Sequence, residues 1–505
     1  MLRPNRIVLP AVLGAILAAT LVACAQHRAV AKPAIAVAAD INTLVSQYLR
    51  QTGLPVGIGI AVYTPDGMYT QGFGQANNSG QAVDADTLFY IASSTKSVVA
   101  LAMNSLQQQG KIDLDTSLAA FAPDAPLPVT VQPQNVTLRD LLTHTSGINN
   151  DAIAIRSAYT GEHTPQKLWQ LLATSTVNAA APAGQFKYTN TGYNILTMLT
   201  DKQLNMSWQQ IVSKEILQPA GMTHTTAFIS QAKRQNWPLA SAFIVSDDAS
   251  SLEPMSLEKQ DATMHSAGGM LMSTADAARW LELMIRSGAV GNKQILPAEV
   301  VEQTYQAQTV VGQTFGQYER QHYGLGWYLG RYGDEKMVQH FGSFSGFRAH
   351  ISFLPERDIG VAVFTNEALS GMFLPDAIAN FIYDNLTGKA TDAAARSAEL
   401  AQQFQKLNAG YSKSQQQLAR REWTLTLAPE RYAGNYVNAG LGTLQIGVAP
   451  LQARLGLLHA MATAYPEPDT IRVAITPPGG DVIRFEVKEG AVLSATLFNS
   501  RFIKQ

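Results

Sequence analysis

Ser93 and Lys96 lie three residues apart where an apolar run, Leu88-Phe89-Tyr90-Ile91, gives way to the polar turn Ala92-Ser93-Ser94-Thr95. Beyond the turn, Val98, Val99, Ala102, Met103 and Leu106 recur at three- and four-residue steps. This pattern predicts a strand, a turn and a helix, with serine and lysine one turn apart on the same helical face. There a lysine amine can reach a serine hydroxyl. A neutral hydroxyl attacks a carbonyl only with a base beside it, so the pair is the minimum of a Ser–Lys nucleophile. The same spacing recurs at Ser230–Lys233 and Ser256–Lys259, and a serine cap followed by a solvated lysine is spelled the same way. The pair needs further parts before it means catalysis.

Two later stretches supply candidates. The loop 182–192 carries Tyr188 and Asn190, two residues apart, ahead of the helical pattern Tyr193 to Leu199. Loops are where catalytic groups usually sit, and both side chains can point into one cavity. Tyr383–Asn385 and Tyr436–Asn438 repeat the spacing, so it too is weak alone. Further on, His340-Phe341-Gly342-Ser343 ends a strand-like run. His144, in Thr143-His144-Thr145-Ser146-Gly147 after a short helix, is another possible base, although a histidine at a helix end more often bonds locally. No His/Asp/Glu cluster has ligand spacing for a metal, and no cofactor is implied.

The elements that must position these residues read as α+β. Ile41 to Leu49 predicts an amphipathic helix. Val56–Tyr63 and Met68–Phe73 predict a hairpin about the turn Pro65-Asp66-Gly67. From Leu101 to about Met284 the pattern is mainly helical, with a helical run opening at Ala267-Gly268-Gly269-Met270. Gly324–Leu329, Met337–Phe341, Ala349–Leu354 and Ile359–Thr365 read as strands. These late strands would complete the sheet begun by the early hairpin, with the helices inserted between its halves. A helix at Asp376–Leu386 follows, then a helical or loose linker over 390–422 without a strong core face. After Trp423, short alternating runs between Gly and Pro predict a small all-β sandwich or barrel.

Lys plus Arg minus Asp plus Glu is 37 − 38 = −1 over 505 residues, so nothing suggests a nucleic-acid partner. Arg3 and Arg6 precede an apolar run, Ile7 to Ala23, interrupted by Pro10. That is marginal for a membrane span and suits an export signal. The run ends Leu21-Val22-Ala23-Cys24, and Cys24 is the only cysteine, with no partner for a disulfide. The end of the run resembles the bacterial lipobox, which implies cleavage before Cys24, lipidation of its thiol and, with Ala25 following, anchorage at the periplasmic face of the outer membrane. The expected organisation is a signal peptide over 1–23, a tether over 24–38, a main domain over 39–388, a linker over 389–423 and a β domain over 424–505.

Taken in order with their flanks, these motifs resemble the serine β-lactamase and penicillin-binding-protein-like hydrolases, nearest the class C β-lactamase, esterase and D-aminopeptidase branch. The flanks are Asp86-Thr87-Leu88-Phe89, Leu141-Leu142-Thr143-His144-Thr145-Ser146-Gly147, Pro182-x-Gly184, Ala267-Gly268-Gly269, Tyr323-Gly324-Leu325-Gly326-Trp327, Pro355-Glu356 and Thr365-Asn366. Residues 424–505, with Leu427, Arg431-Tyr432, Gly434 and Tyr436 near their start, resemble the lipocalin-like β domain that often trails this family. The resemblance implies a β-lactamase/transpeptidase-like antiparallel sheet with a helical subdomain. It implies that Ser93 is acylated, that Lys96 and Tyr188 share the proton handling, with the base left open between them, and that the backbone N–H groups of Ser93 and Ser343 form an oxyanion hole. Asn190, His340 and Gly342 would contact a small-molecule or peptide substrate. The departure is His340, where lactamases and carboxypeptidases of this fold usually carry lysine; a mostly neutral histidine favours esters, amides or peptides over β-lactams. The competing expectations are a class C-type β-lactamase or D-Ala-D-Ala carboxypeptidase, a non-catalytic binding or sensor lipoprotein, and a cell-wall scaffold acting through the β domain.

Overall fold

The computed structural model describes residues 34–246, 248, 250–389, 391–476 and 479–505. Strand β1 (Ile58–Thr64) is buried at every position, because it lies inside a sheet covered on both faces. Its alternate residues Ile58, Ile60 and Val62 join one hydrophobic cluster, while Ala61 and Tyr63 join another. The hairpin partner β2 (Gly67–Phe73) forms one edge. Six strands late in the chain complete the sheet: β3 (Thr309–Phe315), β4 (Tyr318–Tyr323), β5 (Tyr328–Tyr332), β6 (Glu335–Phe344), β7 (Phe347–Leu354) and β8 (Ile359–Thr365). The order is β3-β4-β5-β6-β7-β8-β1-β2, antiparallel throughout, with Ile58 opposite Thr365 and Tyr63 opposite Gly360 where the two ends of the domain meet. The helical insertion between the halves is as expected. The strand pair β3–β4 is not: its sequence is polar and its outer strand mostly exposed, so periodicity gave it no signal.

One face of the sheet is covered by α1 (Ala38–Thr52) and α5 (Leu374–Leu386), whose Ile41, Leu44, Tyr48, Ile378 and Ile382 are buried there. The other face carries the helical insertion. Its principal helices are α2 (Thr95–Gln108), α3 (Thr191–Leu204) and α4 (Thr274–Ile285). A short sheet, Leu88–Tyr90, Leu271–Ser273 and Thr225–Thr226, lies beside them.

Four sequence expectations are corrected. Gly324 to Trp327 is a loop rather than strand, and β5 begins at Tyr328. Ala267 to Met270 does not open a helix; it leads into the strand Leu271–Ser273, and Ser273 caps α4 by accepting from the Asp276 N–H. Residues 34–37 are not loose tether, since Ala34 and Val37 are buried and the Ala34 N–H donates to Thr64 Oγ1 at 3.0 Å. The residues after 390 hold a 27-residue helix, α6 (Ala393–Ala419), that packs on α1. Its buried apolar residues are Ala393, Leu400, Ala401 and Phe404, with Phe404 edge-on to Tyr48 at 6.4 Å. That stripe is short and diluted by Gln and Ser, which is why the sequence reads as a linker.

Strands from Gly434 to Lys504 close an eight-stranded up-and-down barrel, with the last strand pairing to the first. Tyr432, Tyr436, Leu444, Ile471 and Phe485 fill its interior. The barrel docks on the helical insertion. The Leu457 N–H donates to Thr160 O at 2.9 Å, the Arg156 guanidinium donates to Gly440 O, and Tyr159 packs against the barrel core. Tyr159 also meets Phe344 at 5.6 Å, so the barrel braces the end of β6.

If α6 is part of the core, Phe404→Ala should lower stability by about 3 kcal/mol, the usual cost of deleting a buried aromatic ring. Urea unfolding followed by circular dichroism checks this; an unchanged first transition would mean that α6 is only a tether.

Candidate active site

The strand Leu88–Tyr90 delivers the chain into the turn Ala92–Ser94, from which α2 starts at Thr95. Ala92 is forced to φ +46°, a left-handed value that a residue with a Cβ adopts at a cost of about 1 kcal/mol. Two contacts fix this turn against the sheet. Ser94 Oγ donates to the His340 carbonyl at 2.9 Å. At Gly342, a Cβ would fall 1.9 Å from the Ile91 carbonyl oxygen and 3.1 Å from the Ser93 nitrogen, so only glycine lets β6 lie this close. The next residue, Ser343, is thereby carried along the Ser93 turn on the strand that flanks it.

Lys96 is fully buried on the first turn of α2. Its Nζ lies 2.6 Å from the Ala267 carbonyl, 2.8 Å from Asn190 Oδ1 and 3.3 Å from Ser93 Oγ. Among the described residues no carboxylate pairs with it, and burial alone holds its pKa well below the ordinary lysine value. A neutral amine has two N–H groups and one lone pair. With the N–H groups on the two carbonyl oxygens, the lone pair is left for the Ser93 hydroxyl. Asn190 occupies the N-cap position of α3 yet makes no cap hydrogen bond, so its side chain is free for Lys96. Beneath α2, Gly326 at φ +80° passes so close that a Cβ would lie 2.7 Å from the Lys96 carbonyl oxygen.

Tyr188 hydrogen-bonds the Ser93 side chain, and the Lys96 ammonium position lies 4.8 Å from its ring centre. Burial pushes the Tyr188 phenol far above its ordinary range, so at neutral pH it is a hydroxyl and not a phenolate. The two candidate bases are thus driven in opposite directions, the amine toward its base form and the phenol away from it.

Behind Tyr188 lies a layer of rings. His144 is 4.5 Å from the Tyr188 ring, and Tyr328 is stacked on it at 6.2 Å. His340 is 1% exposed and both its ring nitrogens are engaged: Nδ1 with the Phe341 carbonyl at 3.1 Å and Nε2 with Tyr323 Oη at 3.1 Å. Tyr323 Oη also lies 3.3 Å from His144 Nε2, and the Thr189 N–H donates to His144 Nδ1 at 3.4 Å. Read as a chain, backbone Thr189 donates to His144, His144 to Tyr323, Tyr323 to His340, and His340 to backbone Phe341. Both histidines are neutral in that chain. Burial is the main cause that lowers both their pKa values. His340 therefore stands behind the cleft and presents no free nitrogen to a substrate, against the expectation from its place beside Gly342. His144 does not approach Ser93 as a base either; it buttresses the Tyr188 loop. The fixed positive charge nearby is Arg320, whose guanidinium lies 4.0 Å over the Tyr328 ring and bears electrostatically on Tyr188 and His340.

The structure thus gathers Ser93, Lys96, Tyr188 and Asn190, with Gly342 and Ser343 on the adjacent strand, and separates the repeated spellings. Lys233 is exposed, while Lys259 is buried with its Nζ on the Ala158 and Thr263 carbonyls rather than near Ser256. Tyr383 bonds Ser352 inside the core, and Tyr436 lies inside the barrel. Sequence reading missed the Ala267 carbonyl, a backbone acceptor that no residue type announces, and the hydroxyl of Tyr323, whose only signal was the flank it belongs to. Cys24 lies outside the described residues. Among the described residues no His/Cys/Asp/Glu group could hold a metal, and no helix is long and apolar enough to cross a membrane.

Comparison with known proteins places this geometry. The curated protein flp of Staphylococcus aureus strain COL is 22% identical over 340 residues, 67% of this chain; the match spans 64% of flp, just under two thirds of its length. Unguisins hydrolase ungD of Aspergillus violaceofuscus is 25% identical over 452 residues, covering 84% of this chain and 78% of that protein. Among solved structures, the octameric penicillin-binding protein homologue from Pyrococcus abyssi superposes with a TM-score of 0.59 at 22% identity, covering 92% of this chain and 100% of that one. The D-amino acid amidase from Ochrobactrum anthropi SV3 complexed with L-phenylalanine amide gives 0.55 at 20% identity over 69% of this chain and 99% of that one. The D-alanine carboxypeptidase AmpC from Burkholderia cenocepacia gives 0.52 at 20% identity over 66% and 95%. The family profile named Beta-lactamase matches residues 41–383, the whole span from α1 to α5 that builds the site, and the chain belongs to that family.

Proposed function

We propose that the protein is a serine hydrolase that forms an acyl-enzyme on Ser93, acting on an amide, peptide or ester. The observation that carries this reading is the buried, unpaired Lys96 with its Nζ 3.3 Å from Ser93 Oγ and its other partners both carbonyl oxygens. In the first step the Ser93 hydroxyl proton passes to Lys96 Nζ as Oγ bonds the substrate carbonyl carbon. Negative charge then develops on the carbonyl oxygen, within reach of the backbone N–H groups at Ser93 and Ser343. Tyr188, held as a hydroxyl, hands its proton to the leaving nitrogen or oxygen and recovers one from the Lys96 ammonium. Water then attacks the ester, losing its proton to the same pair, and Ser93 Oγ leaves with a proton restored. Asn190 divides its amide between Lys96 through Oδ1 and the substrate through Nδ2.

With a buried histidine and no lysine at position 340 to hold a substrate carboxylate, uncharged amides, peptides and esters are favoured. Relatives described as a D-amino acid amidase, a D-alanine carboxypeptidase and an unguisins hydrolase support a hydrolase of this kind. The N-terminal sequence supports export and lipid anchorage at Cys24. Intact nucleophile and base weigh against a purely binding or sensor role.

A fluorophosphonate should label the wild type stoichiometrically and leave Ser93→Ala unlabelled; equal labelling of the two would exclude Ser93. Lys96→Ala should slow turnover at least about 10²-fold, the scale of a lost acid–base group. Because the working form of Lys96 is neutral, activity should fall as pH drops through its lowered pKa, with the midpoint well below the ordinary lysine range. In a panel of esters, D-amino-acid amides, short peptides and nitrocefin, turnover of the first three should exceed that of nitrocefin, and efficient nitrocefin hydrolysis would favour a class C-type lactamase instead. Metabolic palmitate should label the exported wild type and not Cys24→Ser; a label that survives the substitution would rule out lipidation there.

A further inference from the structure

Lys259, the lysine of one repeated Ser-x-x-Lys spacing, is 6% exposed and takes no part in the chemistry proposed for Ser93. Its Nζ donates to the Ala158 carbonyl at 2.5 Å and to the Thr263 carbonyl at 3.2 Å. Rings surround the rest of it: Nζ lies 3.9 Å from the centre of Phe344, 5.1 Å from that of Tyr90 and 5.7 Å from that of Tyr159. Among the described residues no carboxylate pairs with it. An ammonium has three N–H groups and no lone pair, so two carbonyl oxygens and a ring face satisfy it. Burial works against that charge, and the negative faces of the three rings work for it.

Two of these rings flank the site. Tyr90 ends the strand that leads into the Ser93 turn, and Phe344 directly follows Ser343 at the end of β6. The two meet edge-on at 5.1 Å, and Tyr159 meets Phe344 at 5.6 Å. Ala158 stands between Arg156 and Thr160, whose side chain and carbonyl hold the barrel. One nitrogen thus joins the barrel-docked segment to both stretches that carry the Ser93 and Ser343 N–H groups. We propose that Lys259 is a positioning residue for acylation: through Tyr90 and Phe344 it sets the distance between the Ser93 and Ser343 N–H groups, so that both point at one developing oxyanion. The inference rests on the acyl-enzyme reading and adds to it a residue that never touches substrate. Fixed donors stabilise only charge that develops where they point, and a displacement of about 1 Å can cost on the order of 10²-fold in rate.

Saturable labelling of the full-length protein by an alkyl fluorophosphonate tests this, because its phosphonyl oxygen takes the oxyanion position as Ser93 Oγ bonds phosphorus and fluoride leaves. Lys259→Met keeps the stem and removes the nitrogen. It should lower the limiting rate constant at least about tenfold, with the half-saturating concentration within about twofold and labelling still stoichiometric at completion. Phe344→Leu leaves Lys259 on its two carbonyls and removes the ring beside Ser343; it should do the same, and it decides the matter if thermal melting finds Lys259→Met unfolded. A smaller loss of limiting rate in a folded variant would overturn the proposal. So would a loss confined to half-saturation, or one matched by a fall in labelling stoichiometry, which would signal partial unfolding. A wild type that takes no label at Ser93 would sink the acyl-enzyme reading itself, and this inference with it.

Discussion

A lysine buried without a counter-charge is the constraint on which the rest of this structure depends. An ammonium in such a place loses most of its hydration, and only a paired carboxylate would normally hold it charged. Here the partners are two carbonyl oxygens and a hydroxyl, which suit a neutral amine equally well. Each comes from a different part of the chain: Ser93 from the turn before α2, Asn190 from the start of α3, and Ala267 from the loop before α4. The helical insertion has to bring three distant segments to one nitrogen. Its many buried apolar residues around α2 are what hold them there.

The sheet supplies the other half. β6 can flank the Ser93 turn because Gly342 has no side chain, and Ser94 ties that turn to the His340 carbonyl. Behind it, the hydrogen-bonded run from Thr189 through His144, Tyr323 and His340 to Phe341 begins and ends on backbone groups. A run pinned at both ends sets the tautomers of its histidines and the position of the Tyr188 loop without adding charge. It leaves the lysine free of any anionic neighbour that would restore its ordinary pKa. The barrel, reaching Phe344 through Tyr159, braces the far end of the same strand.

Much of this was legible in the sequence, and what was not has physical reasons. Local periodicity revealed the early hairpin, the strands β7 and β8 and the start of α2, since each buries a regular face. It overlooked the edge strand β3 and its neighbour β4 because their polar sequences carry little pattern, and it took α6 for a helical or loose linker because six buried residues in 27, two of them Ser397 and Asn408, make a faint stripe. At the site, Ser93, Lys96, Tyr188 and Asn190 were readable as residue types in flanked motifs. The Ala267 carbonyl was invisible, being backbone. His340 was read as contacting substrate, and alternation does put it on the Gly342 face of β6, beside Tyr188, but its ring is buried there with both nitrogens engaged. The Tyr323 hydroxyl and the Phe341 carbonyl take up its two nitrogens, a pairing that no residue type announces.

The central claim is that Lys96 is an amine, and not an ammonium, when the enzyme works. Selective ¹³C labelling of the lysine side chains, with the Lys96 signal assigned by its loss in Lys96→Arg, allows its ε-carbon to be followed by NMR as pH is varied. The structure predicts that this carbon titrates well below the ordinary lysine value of 10.5. Titration at the ordinary value would contradict the account, because Ser93 would then have no base beside it.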